Sequence, residues 1–251
     1  TGKAGPRFTF KAKDPGFEAL RAETLADLQR AARLSPRESE KALLEGAAAL
    51  ASWRPGQDAD LDRAEAALRR SRELAPNDAY ASFLLGRARF MRGDLAGAAD
   101  RMEEAVALIP ADFDTLYSAA LTLSYAGRHA KGLEFVERAL EIWRENYLLW
   151  SKRADLLAQL GREQPALDSY EQAIDLEPHQ PQPYVGLGYL HYSKERFQEA
   201  REVYARALKV LPDEPSLIEA LGASLVGLGR LEEAEKVMER VVALRGDAEA
   251  Y

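Results

Sequence analysis

Apolar residues recur at the spacing of an α-helix along most of the chain, in short segments that glycine and proline separate. Residues 79–112 show two such stripes most clearly. The stripes consist of Phe83, Leu84, Leu85 and Ala88, and of Leu95, Ala98, Ala99, Met102, Ala105 and Val106. Gly93 and Asp94 suit the end of one helix and the cap of the next, and Pro110 stops the second helix because it has no amide hydrogen. The segment therefore predicts two amphipathic helices joined by a tight turn.

The same pattern returns every 34 residues. The position that closes the second helix holds Pro76, Pro110, Arg144, Pro178, Pro212 and Gly246. The turn position holds Gly93, Gly127, Gly161, Glu195 and Gly229. A small residue recurs early in the second helix, at Ala98, Gly132, Ala166, Ala200 and Ala234. Helices that cross closely need such residues where their backbones meet, so the spacing predicts repeated hairpins that stack on one another.

Five copies in register between residues 79 and 248 resemble the tetratricopeptide repeat, a 34-residue helical hairpin. The resemblance covers nearly the whole chain. It implies an all-α, right-handed solenoid of about six helical hairpins with an N-terminal capping helix.

The sequence also predicts the organisation of the chain. Residues 1–15 are rich in glycine, lysine and proline and show no helical period, so we expect an extended arm there. Residues 16–36 are expected to form the capping helix, with Leu25, Leu28 and Leu34 on one side. The six repeats follow at 39–78, 79–112, 113–146, 147–180, 181–214 and 215–248. Arg144 predicts a helix that runs on through Trp143, and Gly246 predicts the end of the last helix.

The first repeat has six additional residues, which we place in its turn at 52–59 because Pro55 and Gly56 are a loop signal. Trp53 in this loop either folds back onto the helices or is offered to a partner, and we favour the first interpretation.

Composition and charge argue against several classes of function. The net charge of −7 is spread over helices that carry charges of both signs. The chain therefore has no basic face of the kind that binds nucleic acid, and we predict no nucleic-acid partner. No window approaches the apolar length of a membrane span. The absence of cysteine excludes disulfides, thiolate metal sites and cysteine nucleophiles, and is compatible with either cytoplasm or periplasm. High alanine and arginine usage favours a bacterial source.

The sequence predicts no catalytic residues, no metal site and no cofactor, and hence no enzyme. His129, His179 and His191 are far apart and have no metal-ligand spacing on one helix. The Gly-Leu-Gly segments at 186–188 and 227–229 lack the Lys-Ser/Thr pair of a phosphate loop, so we interpret them as packing and turn glycines.

By resemblance, the first helix of each repeat lines a concave groove that binds a protein or peptide segment. Tyrosine there offers a large contact area at a small entropic cost. The predicted partner-binding residues are Tyr80, Phe83, Arg87, Phe90, Tyr117, Tyr125, Lys152, Asp155, Tyr189 and Tyr192. The strongest anchors, at about 2 kcal/mol each, are expected among Arg87, Tyr117, Tyr125, Tyr189 and Tyr192. The alternative is that some of these rings pack on the neighbouring helix.

We therefore predict a non-enzymatic scaffold or adaptor for protein–protein interaction. One alternative is self-association, as a homo-oligomer, through the apolar helix 231–244 or through the arm at 1–15. Another is a docking module for a catalytic domain, or for a secretion or assembly complex, that lies outside these residues. The sequence does not indicate the partner, the pathway, the compartment or the oligomeric state.

Overall fold

A computed structural model describes residues 15–56 and 58–249, with side chains described at 24–56 and 58–244. These residues form thirteen α-helices and no strand. The chain divides into two units between Arg128 and His129. Unit 1 contains α1 (Pro15–Leu34), α2 (Glu38–Ser52), α3 (Asp58–Leu74), α4 (Ala79–Arg92), α5 (Leu95–Leu108) and α6 (Phe113–Tyr125). Unit 2 contains α7 (His129–Ile142), α8 (Tyr147–Gln159), α9 (Glu163–Leu176), α10 (Pro181–Tyr192), α11 (Phe197–Ala207), α12 (Pro215–Gly227) and α13 (Leu231–Glu249).

Side-chain caps determine where several of these helices begin. The Asp78 carboxylate accepts hydrogen bonds from the amides of Tyr80 (2.9 Å) and Ala81 (3.3 Å) at the start of α4. Asp112 and Asn146 act in the same way at α6 and α8. The even-numbered helices α4 to α12 thus start at 79, 113, 147, 181 and 215, which is an interval of 34 residues.

Unit 1 is built from hairpins that pack in chain order. The helix pairs α2/α3 and α4/α5 form hairpins, α3 packs on α4, and α5 packs on α6. Large side chains with at most 1% exposure fill the interior: Leu61, Leu68, Leu85, Met102 and Leu116. Fully buried alanines lie between them, so adjacent helices approach closely.

Unit 2 repeats this arrangement. The helix pairs α8/α9, α10/α11 and α12/α13 form hairpins, and α10 contacts both α8 and α12. Leu149, Leu156, Leu187, Leu217 and Ile218 are fully buried or nearly so. In unit 1, α2 likewise contacts α4. Even-numbered helices therefore lie side by side in each unit.

The additional residues of the first repeat are divided between a loop and a helix. We placed them in the turn at 52–59, but α2 ends at Ser52 and α3 already begins at Asp58. The three residues 58–60 thus extend α3, which is 17 residues long against 14 for α5. Trp53 is partly buried and packs against the core cluster around Leu50 and Leu61, as the favoured interpretation had it.

Three further details of the sequence interpretation are wrong. Leu34 is 72% exposed instead of packed. The helix α7 ends at Ile142 and does not include Trp143. The last helix runs through Gly246 to Glu249, because helical hydrogen bonding tolerates glycine at a cost of only about 1 kcal/mol. The predicted arm at 1–15 lies outside the described residues, except for Pro15, which begins α1. The division into six repeats stays a prediction.

Candidate functional site

The ten predicted binding residues fall into two sets, one in each unit. We call the first set the α4–α6 surface and the second set the α8–α10 surface. The α4–α6 surface consists of Tyr80, Phe83, Arg87, Phe90, Tyr117 and Tyr125. The α8–α10 surface consists of Lys152, Asp155, Tyr189 and Tyr192. Each set is described within its own unit.

Aromatic rings dominate the α4–α6 surface. Tyr80 is 57% exposed and Tyr125 is 40% exposed. The ring of Tyr125 meets the half-buried ring of Phe90 edge to face, with centroids 5.4 Å apart. This contact joins α6 to α4 and holds the Tyr125 ring in place. Such a pair stabilises the fold by about 0.5–1.5 kcal/mol beyond its buried area.

The remaining residues of the α4–α6 surface lean on neighbours along their own helices. The guanidinium of Arg87 lies 6.0 Å from the centroid of the Phe83 ring, one helical turn away. Tyr117 stacks on Phe113 with centroids 5.9 Å apart. Phe83 and Tyr117 are half-buried, whereas Arg87 is exposed. The alternative that some rings pack on the neighbouring helix thus holds for Phe90, whose partner lies on α6, whereas Tyr117 packs on its own helix.

A three-residue polar network characterises the α8–α10 surface. Lys152 donates to one oxygen of Asp155 (2.8 Å), and the hydroxyl of Tyr170 donates to the other (2.7 Å). Tyr170 comes from α9 and is only 4% exposed. Burial, followed by the charge of Asp155, raises the pKa of Tyr170, so its hydroxyl stays a donor. Both carboxylate oxygens of Asp155 are therefore engaged within the protein.

The tyrosines of α10 differ in exposure. Tyr189 is 64% exposed. Tyr192 is half-buried, and its ring meets Phe197 edge to face at 5.1 Å. Burial, followed by the nearby Tyr192 and Tyr189, raises the pKa of the buried Tyr204 to about 12. Tyr189 is thus the part of this surface most available to a partner.

Sequence reasoning missed the three residues that hold the surface residues in place, namely Phe113, Phe197 and Tyr170. One signal for Tyr170 was present. Gly186 lies inside a helix, where glycine is unfavourable, and a Cβ there would stand 2.4 Å from the Tyr170 ring. The glycine makes room for the ring that reaches Asp155.

We also searched the described residues for metal sites, cavities and membrane-spanning helices. The described residues contain no group of three or more His, Asp or Glu side chains able to hold a metal ion. Two cavities beside α7 are lined by Glu137, Glu141 and their neighbours, and none of the ten predicted residues lines them. None of the described helices combines the length and the apolar character that a membrane crossing requires.

Comparisons with known proteins decide the family. Two models, each described as the tetratricopeptide repeat, match residues 56–113 and 117–183, and residues 164–225 and 192–251. The chain belongs to the tetratricopeptide repeat family. A TPR repeat-containing protein of Methanocaldococcus jannaschii is 35% identical over 66 residues, which is 26% of this chain and 12% of that relative. The match therefore spans about an eighth of the relative's length.

Solved structures of other repeat proteins share the fold. A tetratricopeptide repeat protein from Parabacteroides merdae is 16% identical, with a TM-score of 0.66 over 84% of this chain and 85% of that one. The MamA protein of Desulfovibrio magneticus is 15% identical, with a TM-score of 0.61 over 70% and 97%. YrrB, described as a TPR protein with an unusual peptide-binding site, is 21% identical, with a TM-score of 0.57 over 71% and 91%. The predicted all-α fold is confirmed.

Membership in this family indicates a scaffold for protein–protein interaction, and such repeat proteins are typically non-enzymatic. Which residues touch a partner stays a prediction.

Proposed function

We propose that this protein is a non-enzymatic scaffold that binds segments of other proteins, and that the α4–α6 surface of unit 1 and the α8–α10 surface of unit 2 each contact such a segment. One observation carries the proposal: large aromatic side chains stand open on helices whose other sides are buried. Tyr80, Tyr125 and Tyr189 are 57%, 40% and 64% exposed. Tyrosine is enriched where proteins bind one another because a rigid ring and a hydroxyl contact both apolar and polar groups.

The packing of the surface helices supports this proposal. Tyr125 leans on Phe90, and Tyr192 leans on Phe197. A partner would therefore meet side chains that are already ordered, so that binding costs less conformational entropy. YrrB, which shares the fold, is described as having a peptide-binding site.

The test is a titration against the protein segment that copurifies with the intact chain, once it has been identified. Tyr125→Ala and Tyr189→Ala are the first variants because both rings are exposed, and Tyr189 is the cleaner of the two because the Tyr125 ring also packs on Phe90. We expect each to weaken binding by about 30-fold, the equivalent of an anchor worth about 2 kcal/mol. Leu74→Ala in unit 1 and Ile142→Ala in unit 2 are matched controls, since both side chains are about half exposed and lie outside the two surfaces.

If both tyrosine variants and the variants of Arg87, Tyr117 and Tyr192 bound as tightly as the wild type, the proposal would be wrong. Unfolding curves identify any variant that weakens binding only by unfolding. Tyr117 and Tyr192 need this check most, because each is half-buried against another ring.

Self-association is a second candidate, and α13 favours it. Leu231, Met238 and Val242 are 63%, 41% and 72% exposed on this helix. Val241 is only 2% exposed and belongs to the core, so it is unsuitable for a test of this idea. Light scattering over a range of concentrations should show an oligomer that Leu231→Glu/Val242→Glu dissociates. A wild type that is monomeric throughout would exclude this candidate.

A further inference from the structure

The three arginines of α4 differ in their partners. Arg89 lies 3.9 Å from Asp94. Arg92 pairs with Asp62 at 2.8 Å and with Glu65 at 2.9 Å. Arg87 forms no ion pair with any carboxylate in the part of the chain that the structure describes. Its guanidinium is exposed and keeps its hydrogen-bond donors for a group outside the protein.

One aromatic ring lies beside this exposed cation. Phe83, Arg87 and Phe90 follow one another at one-turn intervals along one face of α4. The centroid of the Phe83 ring lies 6.0 Å from the guanidinium carbon, and the Phe90 ring meets the Tyr125 ring edge to face. Leu84 and Met91, also on α4, are partly buried against the core. A carboxylate that reaches Arg87 would form a charge-assisted hydrogen bond, which is roughly twice as strong as a neutral one, beside an aromatic ring.

The cation of the α8–α10 surface is already paired with a carboxylate. Lys152 is 13% exposed and lies 2.8 Å from Asp155. A partner therefore meets a free positive charge on the α4–α6 surface and a satisfied ion pair on the α8–α10 surface. The difference predicts that charge selection belongs to unit 1.

We infer that the α4–α6 surface selects a protein segment that carries an acidic side chain between apolar side chains. The Asp or Glu carboxylate accepts hydrogen bonds from the Arg87 guanidinium, and the apolar side chains contact Phe90 and Tyr125. A lysine or arginine at the same place in the segment is rejected by like charge. This inference rests on the proposed function and names the chemistry of the bound segment.

The first experiment selects peptides of about 12 random residues, displayed as internal fusions so that only side chains supply carboxylates. The wild-type chain and Arg87→Glu are screened in parallel. We expect the wild type to enrich Asp or Glu beside apolar residues and Arg87→Glu to enrich Lys or Arg at the same place. Arg162→Glu is the matched control, because it changes the net charge equally at an exposed turn residue outside both surfaces. It should retain the acidic preference.

The second experiment measures one selected peptide, synthesised with both ends blocked, and its Glu→Gln or Asp→Asn form. Against the wild type, the neutral form should bind about tenfold more weakly. Against Arg87→Gln, the two forms should differ by less than about twofold, because the partner of the carboxylate is gone. Arg87→Gln removes an exposed side chain, so its unfolding curve should match that of the wild type.

The outcomes separate this inference from the proposed function. The inference would be wrong if binding depended on Tyr125 but the selected peptides showed the same acidic preference on the wild type and on Arg87→Glu. It would also be wrong if they showed no acidic preference on either protein. In both cases the scaffold proposal would stand. If the wild type retained no peptide, or retained peptides regardless of Tyr80→Ala and Tyr125→Ala, the α4–α6 surface would not be a binding surface, and both would fail there.

Discussion

The α4–α6 surface and the α8–α10 surface occupy equivalent positions of the repeat but differ in what their charged groups contact. Asp155 follows Arg87 by two intervals of 34 residues, and Tyr189 follows Asp155 by one. Arg87 lies beside the Phe83 ring and forms no ion pair with a carboxylate among the described residues. Asp155 is bound by both Lys152 and Tyr170. The repeat thus determines where a side chain stands, and the adjacent helix determines whether that side chain is free to bind.

The helices beneath the two surfaces show a second contrast. Gly86 of α4 and Gly188 of α10 are three intervals apart, yet they face different side chains. A Cβ at Gly86 would lie 3.2 Å from the end of Met102 and 3.3 Å from the backbone oxygen of Ala98, whereas one at Gly188 would lie 2.3 Å from the Tyr204 ring. A flexible thioether fills the space in unit 1, and a rigid buried ring fills it in unit 2.

The largest effect that we expect comes from these two glycines. Gly188→Ala should destabilise the protein by about 1–3 kcal/mol, because the buried Tyr204 ring must move. Gly86→Ala should change the free energy of unfolding by less than about 1 kcal/mol, since Met102 can adapt and alanine favours the helix. Urea unfolding followed by circular dichroism measures both.

The double variant Gly188→Ala/Tyr204→Leu controls for the clash. Its loss in the free energy of unfolding should be smaller than the sum of the losses of Gly188→Ala and Tyr204→Leu alone, because the smaller side chain leaves room for the new methyl group. Equal losses at Gly86 and Gly188 would contradict this account of the difference between the units.

The sequence was most informative where a local rule acts. Gly93, Gly127 and Gly161 all have positive φ, a local requirement of the turn that favours glycine, so the interval of 34 residues could be predicted from them. Gly246 follows no such rule, since a helix can continue through it. Exposure within the predicted surfaces could not be predicted either. Whether a tyrosine is open, like Tyr189, or held by a ring, like Tyr192, depends on contacts between residues distant along a helix or on different helices.

Two hairpins, one in each unit, also differ in the residue at the turn between their helices, and we expect this difference to have a smaller effect on stability. Gly93 of unit 1 has φ +87°, and Glu195, at the equivalent position of unit 2, has φ +60°, a left-handed conformation that disfavours side chains. Glu195→Gly should therefore stabilise the protein by about 0.5–1 kcal/mol, after allowance for the greater freedom of glycine in the unfolded chain. Thermal unfolding provides the measurement.

The reciprocal variant Gly93→Glu should destabilise by about 1–2 kcal/mol. A lower melting temperature for Glu195→Gly would show that this glutamate makes a compensating interaction, and the strain argument would fail.

The Tyr170 hydroxyl tests the polar network of unit 2. Tyr170→Phe keeps the ring but removes the donor to Asp155, and we expect a loss of about 1 kcal/mol in the free energy of unfolding. Tyr204→Phe is the matched control. Burial and nearby tyrosines, rather than a carboxylate, raise the pKa of Tyr204, so its hydroxyl should contribute less. If the two variants lost equal stability, Asp155 would not depend on Tyr170.

The smallest effect concerns His191 in unit 2, which stands where unit 1 has Arg89. Burial, followed by repulsion from Arg196, lowers the pKa of His191 below its ordinary 6.5, although Glu199, Glu163 and Glu171 act in the opposite direction. Its Nδ1 is buried without a hydrogen-bond partner among the described residues. Between pH 6.5 and the lowered pKa, the unfolded chain binds more protons than the folded one, so stability is lost as the pH falls through this window.

His191→Gln should remove this loss, because glutamine does not titrate. Urea unfolding of both proteins between about pH 7.5 and pH 5 stays above the range in which Glu163, whose pKa is lowered from 4.5 by Lys194 and Arg196, gains a proton. Parallel pH profiles for the two proteins would contradict the assignment to His191. Arg89 keeps its charge throughout this range, so the acid-dependent loss belongs to unit 2 alone, and protection of its amides against hydrogen exchange should fall while that of α4 and α5 does not.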